Sequence, residues 1–214
     1  MDELLSTPLA PLLGEARVRT YPKGQIILYE DDQPSEIYVL KRGIVRIYDI
    51  DDQGNEKILH IIRAPTLFPL VWHLGLRGEV GSFYGALTDC DAYLLPSAEF
   101  EARMAKDATL ANYVLRCHVT EMHELLVRLG SMNKTTSYDK LIAALKFLAV
   151  HHAQKGRGKW YRVEFPVSHQ LLADMTGITR ESATMAIGQL QEEKIVRYPR
   201  LTVLEVNFEK LTQG

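Results

Sequence analysis

Arg180, Glu181, Thr184 and Met185 offer a planar cation with five donors, a carboxylate, a hydroxyl and a thioether within one short stretch. In a helix this spacing puts all four on one side, so they form a single patch. The chain shows no nucleophile beside an activating base, no paired catalytic carboxylates and no phosphate loop. The chemistry on offer is recognition of an external polar surface, not bond making.

The segment that must present this patch is VSHQLLADMTGITRESATMAIGQL, from Val167 to Leu190. Leu171 and Leu172 give a first helix an apolar side, and Ala173 is small enough for a second helix to cross close by. Gly177 can take the positive φ that a sharp helix exit requires. Thr179 can cap the second helix, whose Ala183, Ile187 and Leu190 fall at i, i+4 and i+7 on one buried face. This is the build of a helix-turn-helix, whose second helix enters the DNA major groove. Two helices of any α-rich domain can also be joined through a glycine, so the segment alone leaves that alternative open. The residues that follow favour the first reading. Gln191 to Lys194 ends the helix, and the β-type runs Ile195–Val196 and Leu201–Val206 flank Tyr198, Pro199 and Arg200. Helix, turn, helix and hairpin make a winged arrangement.

The 214 residues, 46% of them hydrophobic, suffice for one large or two modest domains. No apolar run approaches the roughly 18 residues of a membrane span, and the N-terminus MDELLSTPLAPLL is acidic where a signal peptide would be basic. A cytoplasmic protein with no membrane partner is expected. Cys90 and Cys117 are too few for a disulfide framework or a four-cysteine iron–sulfur cluster, and are expected to be reduced core residues. The net charge of −2 hides an asymmetry: residues 1–133 carry 13 Lys and Arg against 19 Asp and Glu, and residues 134–214 carry 12 against 8. The second part, at +4, holds the helix-turn-helix, as phosphate neutralisation would require.

Upstream, residues 1–20 read as a short helix or irregular lead-in limited by Pro8 and Pro11. Strand-like runs follow at Gln25–Tyr29, Ile37–Leu40, Ile44–Ile50, Lys57–Ile62 and, in two pieces, Phe83–Leu95. Turn residues at Pro22 with Gly24, Asp31–Pro34, Lys41–Gly43 and Asp52–Asn55 separate them, which predicts an all-β sandwich or barrel. Ser97 can cap a helix, and a longer helix runs from beyond Asp107 to about Gly130. On it Leu115, Val119, Met122, Leu126 and Leu129 recur at spacings of 4, 3, 4 and 3, a heptad seam suited to an identical partner helix. A second line, Leu110, Val114, Cys117 and Leu125, would cover the β-domain, although both faces could be buried in one monomer. Lys134–Tyr138 reads as a hinge and Tyr138–His152 as a helix; Gly156–Lys159 is a turn and Trp160–Phe165 a strand.

This order of parts resembles the Crp/Fnr superfamily of bacterial transcription regulators over nearly the whole chain. YPKGQIILYEDDQPSEIYVLKRGIVRIYDIDDQGNEKIL resembles the first half of its cyclic-nucleotide-type β-roll, and the Gly-x-Thr-Arg-Glu-Ser core resembles its DNA-binding motif. The resemblance implies an α+β chain: a β-roll (double-stranded β-helix, cupin-like) over residues 1–107, a dimerisation helix and hinge over 108–133, and a winged helix-turn-helix over 134–214. It implies no enzyme but a homodimer on a palindromic double-stranded DNA operator, reoriented about residues 131–137, with RNA polymerase a partner if it activates. Arg180 and Glu181 match base-reading positions: a guanidinium pairs bidentately with guanine O6 and N7, and a carboxylate accepts from cytosine N4. Thr184 matches a contact position, and Met185 stands where the family usually has arginine, so a thymine methyl replaces guanine as its natural contact. Glu181 could instead serve only the helix dipole. Ser168, Thr179, Arg197 and Arg200 are expected phosphate contacts.

The effector region departs from the family. In APTLFPLVWHLGLRGEVGSFYGALT, Pro69 lies near the expected Gly-Glu segment, and Val80 and Gly81 stand where an Arg-Ser pair should grip a cyclic phosphate. Tight cyclic-AMP binding is not expected. Phe68, Trp72, Arg77, Phe83 and Tyr84 would line a pocket for a planar or apolar effector, or simply fill the core. With no N-terminal cysteine cluster an iron–sulfur sensor is disfavoured. His73 beside Trp72 keeps haem as a weak alternative, while His118 and His123, five apart, lack the spacing of a helical metal pair. No cofactor or metal is predicted. A different class, a ligand sensor whose winged helix binds a protein, also stays open.

Overall fold

The computed structural model describes residues 3–14, 16–69 and 78–212. They form two compact units, one within residues 1–49 and 60–124, the other within 50–59 and 125–214.

Two four-stranded antiparallel sheets belong to the first unit, except for residues 50–59, which group with the second. Strands β1 (Arg17–Tyr21), β2 (Ile26–Leu28), β3 (Glu36–Arg42), β4 (Ile44–Ile50), β5 (Glu56–Arg63), β6 (Thr66–Phe68), β7 (Phe83–Ala86) and β8 (Cys90–Pro96) pair in the orders β1-β8-β3-β6 and β2-β7-β4-β5. Strand β3 is buried on both faces, which is why Ile37–Leu40 reads as a continuous apolar run instead of an alternation. Tyr38 and Leu40 enter a core between the sheets with Tyr21, Val45, Ile62 and Leu94. Ile37 and Val39 pack the other way, with Leu4 of a short 3-10 helix (Glu3–Ser6), Leu9 just after it, and Leu13, Phe100, Leu110 and Val114 from the flanking helices. Those helices are α1 (Ala10–Leu13), α2 (Ser97–Met104) and the first part of α3 (Ala108–Met132).

Most expected strands and turns are present, with corrections at the edges. Arg17–Tyr21 is a strand, not part of an irregular lead-in; its first four residues are exposed, so no apolar alternation marks it. Ser97 is the first residue of α2 and caps nothing, since Pro96 precedes the helix and no side-chain cap is made. Asp107 does cap α3, accepting from the Thr109 and Leu110 amides at 3.0 and 3.1 Å.

Gly43, between β3 and β4, has φ +99°, and an added Cβ would lie 2.4 Å from Asp89 O and 2.7 Å from Cys90 Sγ. Backbone strain and overpacking would act together, so Gly43→Ala should cost about 3 kcal/mol or more. Urea unfolding should show an earlier midpoint with an unchanged slope; an unchanged midpoint would contradict this packing.

In the second unit, α4 (Ser137–His151) carries the base: Leu141, Ala144, Leu145 and Leu148 are buried beneath α5 (His169–Thr176) and α6 (Arg180–Glu192). Thr136 caps α4 by accepting from the Asp139 amide. A small sheet, order β11-β12-β10-β9, completes it from β9 (Ala153–Lys155), β10 (Trp160–Val163), β11 (Val196–Arg200) and β12 (Val203–Asn207), followed by α7 (Phe208–Thr212). The wing turn is at Leu201 and Thr202, where Thr202 has φ 66°, not at Tyr198–Arg200, which belong to β11.

Candidate nucleic-acid interface

The first helix of the pair, α5, begins at Ser168, whose Oγ accepts from the Leu171 amide at 3.0 Å, and ends at Gly177 in the left-handed region with φ 63°. The second, α6, begins at Thr179, whose Oγ1 accepts from the Ser182 amide at 3.2 Å. It ends in a Schellman pattern: Ile195 N–H reaches Leu190 O at 2.9 Å and Lys194 N–H reaches Gln191 O at 3.0 Å. Lys194 takes the left-handed conformation there with φ 58°, a position where glycine is commoner. Both ends of α6 are thus defined by local chemistry, and Ala183, Ala186, Ile187 and Leu190 anchor its inner face.

That anchoring leaves Arg180, Glu181, Thr184 and Met185 exposed together, Met185 at 77% of its surface. An unbranched apolar side chain so exposed contributes nothing to folding, which fits a contact made only with a partner. Thr184 donates to the Arg180 carbonyl at 2.9 Å and meets His169 Nδ1 at 3.1 Å. Arg180, at the start of α6, sits where the helix dipole disfavours a cation, so its placement is not explained by stability.

The expected phosphate-contact residues are differently occupied. Ser168 and Thr179 spend their side-chain acceptors on helix caps, although an anion could still meet the amides beside them. Arg197 donates to Glu205 at 2.6 Å and stacks over Trp160 at 4.2 Å from the ring centre. Arg200 is exposed at the end of β11. The sequence marks His169 for no role and Tyr198 only for the turn between two β-type runs, yet both line a cleft of about 400 Å³ with Ser168, Arg180 and Thr202. A histidine one residue past a cap carries no motif signal; only the fold brings it to Thr184.

Among the expected effector residues, Phe68 and Tyr84 are buried and stack in parallel at 5.5 Å, and Phe68 also stacks with Tyr38 at 5.2 Å. Phe83, half-buried, stacks on Tyr48 at 5.3 Å. Trp72, Arg77 and His73 lie outside the described residues. The Val80 and Gly81 amides donate to Asp32 O at 3.1 Å and Glu30 O at 2.7 Å. Among the described residues, no group of three or more His, Cys, Asp and Glu could hold a metal ion.

Helix α3 exposes Leu115, Val119, Met122, Leu126 and Leu129, each at 52–60% of its surface. Its buried face starts as expected with Leu110 and Val114, but Leu125 is on the exposed side. The 4, 3 pattern instead continues through Cys117, Glu121, Glu124, Arg128 and Ser131. Burial, with Glu124 adding, pushes the Glu121 carboxyl up to about 7, and His60 Nε2 lies 3.3 Å from Glu124. Within the second unit Arg128, 2% exposed, donates to the carbonyls of Ile58 at 3.0 Å and Met175 at 2.7 Å. Burial pulls its pKa down to about 10.

Comparison with known proteins gives matches at both ends of the chain. The cyclic nucleotide-binding domain family matches residues 18–107, and the Crp-like helix-turn-helix domain family matches residues 139–213. The HTH-type transcriptional regulator ArcR of Staphylococcus haemolyticus is 29% identical over 181 residues, covering 85% of this chain and 78% of its own. Two solved structures share the fold. FixK2 from Bradyrhizobium japonicum has a TM-score of 0.78 at 18% identity, covering 92% of this chain and 96% of its own. A Crp/Fnr-family transcriptional regulator from Thermus thermophilus has a TM-score of 0.73 at 22% identity, covering 92% of this chain and 97% of its own.

Proposed function

We propose that this chain, which belongs to the Crp/Fnr family of DNA-binding transcription regulators, reads a palindromic operator as a homodimer. The observation that carries the reading is the pairing of two exposed surfaces that folding alone does not explain. One is the heptad stripe of α3 from Leu115 to Leu129; the other is the Arg180–Met185 face of α6. Paired stripes would relate two copies by a twofold axis, and two recognition helices then meet half-sites about one helical turn, roughly 34 Å, apart. In this reading residues 1–107 form the sensor or support, 108–133 the dimer helix and hinge, and 134–214 the reader. Arg180 and Glu181 take guanine and cytosine edges, and Thr184 and Met185 the neighbouring base pairs. Arg200 and the capped helix starts at Ser168 and Thr179 meet phosphates, and Arg197 would do so from its place beside Glu205.

The first domain is read as unresponsive to cyclic AMP. Supporting this, the Val80 and Gly81 amides already bond to carbonyls, so they are not free to hold a phosphate. The stacked Tyr38, Phe68 and Tyr84 rings behave as core. Any effector would act through different affinities for the two arrangements of the dimer.

Gel shift and footprinting of the full chain on DNA upstream of its own operon test the reading. A protected palindrome at moderate salt is expected; a shift with no protected sequence would count against it. On such an operator, Met185→Arg should change the preferred base at one position in each half-site, by roughly 1–3 kcal/mol of discrimination toward guanine. Competition among operators varied at single positions measures this, and an unchanged preference would remove Met185 from the base contacts.

A further inference from the structure

His169 lies at the start of α5, beside the reading face and not on it. Its Nδ1 is 3.1 Å from Thr184 Oγ1, and that hydroxyl donates its one proton to Arg180 O at 2.9 Å. The oxygen can therefore only accept from the imidazole, which fixes the neutral ring as the Nδ1–H form. Nε2 then carries a lone pair and makes no hydrogen bond among the described residues. Tyr198 of β11 meets the ring edge-on at 5.5 Å, and both line the cleft of about 400 Å³ that also holds Ser168 and Arg180.

We propose that His169 is a positioning residue of the reading face whose proton state is coupled to operator binding. As neutral imidazole it holds the Thr184 hydroxyl through Nδ1–H, and DNA phosphate entering the cleft draws a proton from solvent onto Nε2. A bare Nε2 lone pair facing a phosphate oxygen sets acceptor against acceptor; the imidazolium turns the same contact into a charge-assisted bond. The Nδ1–H donor survives protonation, so Thr184 is held in both states.

The groups facing the ring set the direction of the coupling. Arg180 comes from α6 and Tyr198 from β11, while on α5 itself Asp174 is engaged by Gln170 at 2.7 Å. Burial, with the Arg180 charge adding, holds free His169 below its ordinary value, and no carboxylate offsets them. A docked phosphate raises it. The extra affinity is then fully present below the free-state pKa and is lost as pH rises through the bound-state pKa.

This rests on α6 being the recognition helix, so the test begins with wild-type binding to the protected operator. From about pH 8 to about pH 6 the full-length protein should gain up to roughly tenfold in affinity per half-site, with proton uptake visible as buffer-dependent heat. His169→Asn keeps a donor at the Nδ1 position but cannot titrate, so it should retain the base preference and lose the pH dependence. His169→Ala should lose both the pH dependence and the discrimination at the base pair facing Thr184. Wild-type binding that is flat with pH, or a slope that persists in His169→Asn, would overturn the coupling. Failure of the wild type to bind any operator would instead remove the recognition-helix reading, and this inference with it.

Discussion

Operator affinity should fall by about 2–6 kcal/mol, roughly 30-fold to 10⁴-fold, when Arg180 is replaced by alanine. Each bidentate arginine–guanine pair is worth about 1–3 kcal/mol of discrimination, and a symmetric dimer loses two. The effect separates cleanly from folding. Arg180 is exposed and sits at the unfavourable end of the helix dipole, so the variant should melt no lower than the parent. The salt dependence of the residual binding tells a base contact from a phosphate contact. Losing a base reader leaves the slope of log K against log salt nearly unchanged, whereas losing one phosphate contact per copy would shrink it by about two. A uniform loss across all DNA sequences with a shallower slope would make Arg180 a backbone contact. An unchanged operator affinity would favour a winged helix that binds a protein.

Leu126→Glu should convert the protein to a folded monomer at micromolar concentration and weaken operator binding by about 10²–10⁴-fold, the range that linking two binding modules provides. The stripe side chains are already about half covered in the single chain. Burying the remainder of five side chains on each of two copies therefore yields about 8–15 kcal/mol gross. Association itself costs about 4–15 kcal/mol, so the dimer has little surplus. One carboxylate per copy, facing its twin in the seam, adds a desolvation penalty of several kcal/mol and tips the balance. Sedimentation at several concentrations measures it, and Val119→Glu, about two turns away on the same stripe, should act alike. Dimers that persist in both variants would move the interface off this face.

The helix-turn-helix was legible because its constraints are local. A cap at Thr179, a left-handed glycine at Gly177 and apolar residues at helical spacing each act within a few residues, and all three are found where the sequence places them. The same locality made Ile44–Ile50 readable to the residue. What escaped depends on distant partners. Strand β1 exists because it pairs with β8 from Arg17 opposite Leu94 to Tyr21 opposite Cys90, and its own residues show no buried alternation. The wing turn was displaced because Tyr198 and Pro199 carry turn-like composition, while the real turn falls on Leu201 and Thr202, which do not. The buried face of α3 was hardest to read. Glu121, Glu124 and Arg128 look like surface residues, and only the fold supplies His60 beside Glu124 and the Ile58 and Met175 carbonyls around Arg128. His169 belongs to the same class, since fifteen residues separate it from the hydroxyl it holds.

The central claim is that two copies of α6 read DNA as a symmetric pair, and the most direct measurement is selection of duplexes from a random pool by the full-length protein at moderate salt. The enriched sequences should form a palindrome whose half-site centres lie about one helical turn apart, with a conserved guanine–cytosine pair in each half that disappears from the selection by Arg180→Ala. Enrichment of a single asymmetric site, or none above non-specific binding, would contradict the account.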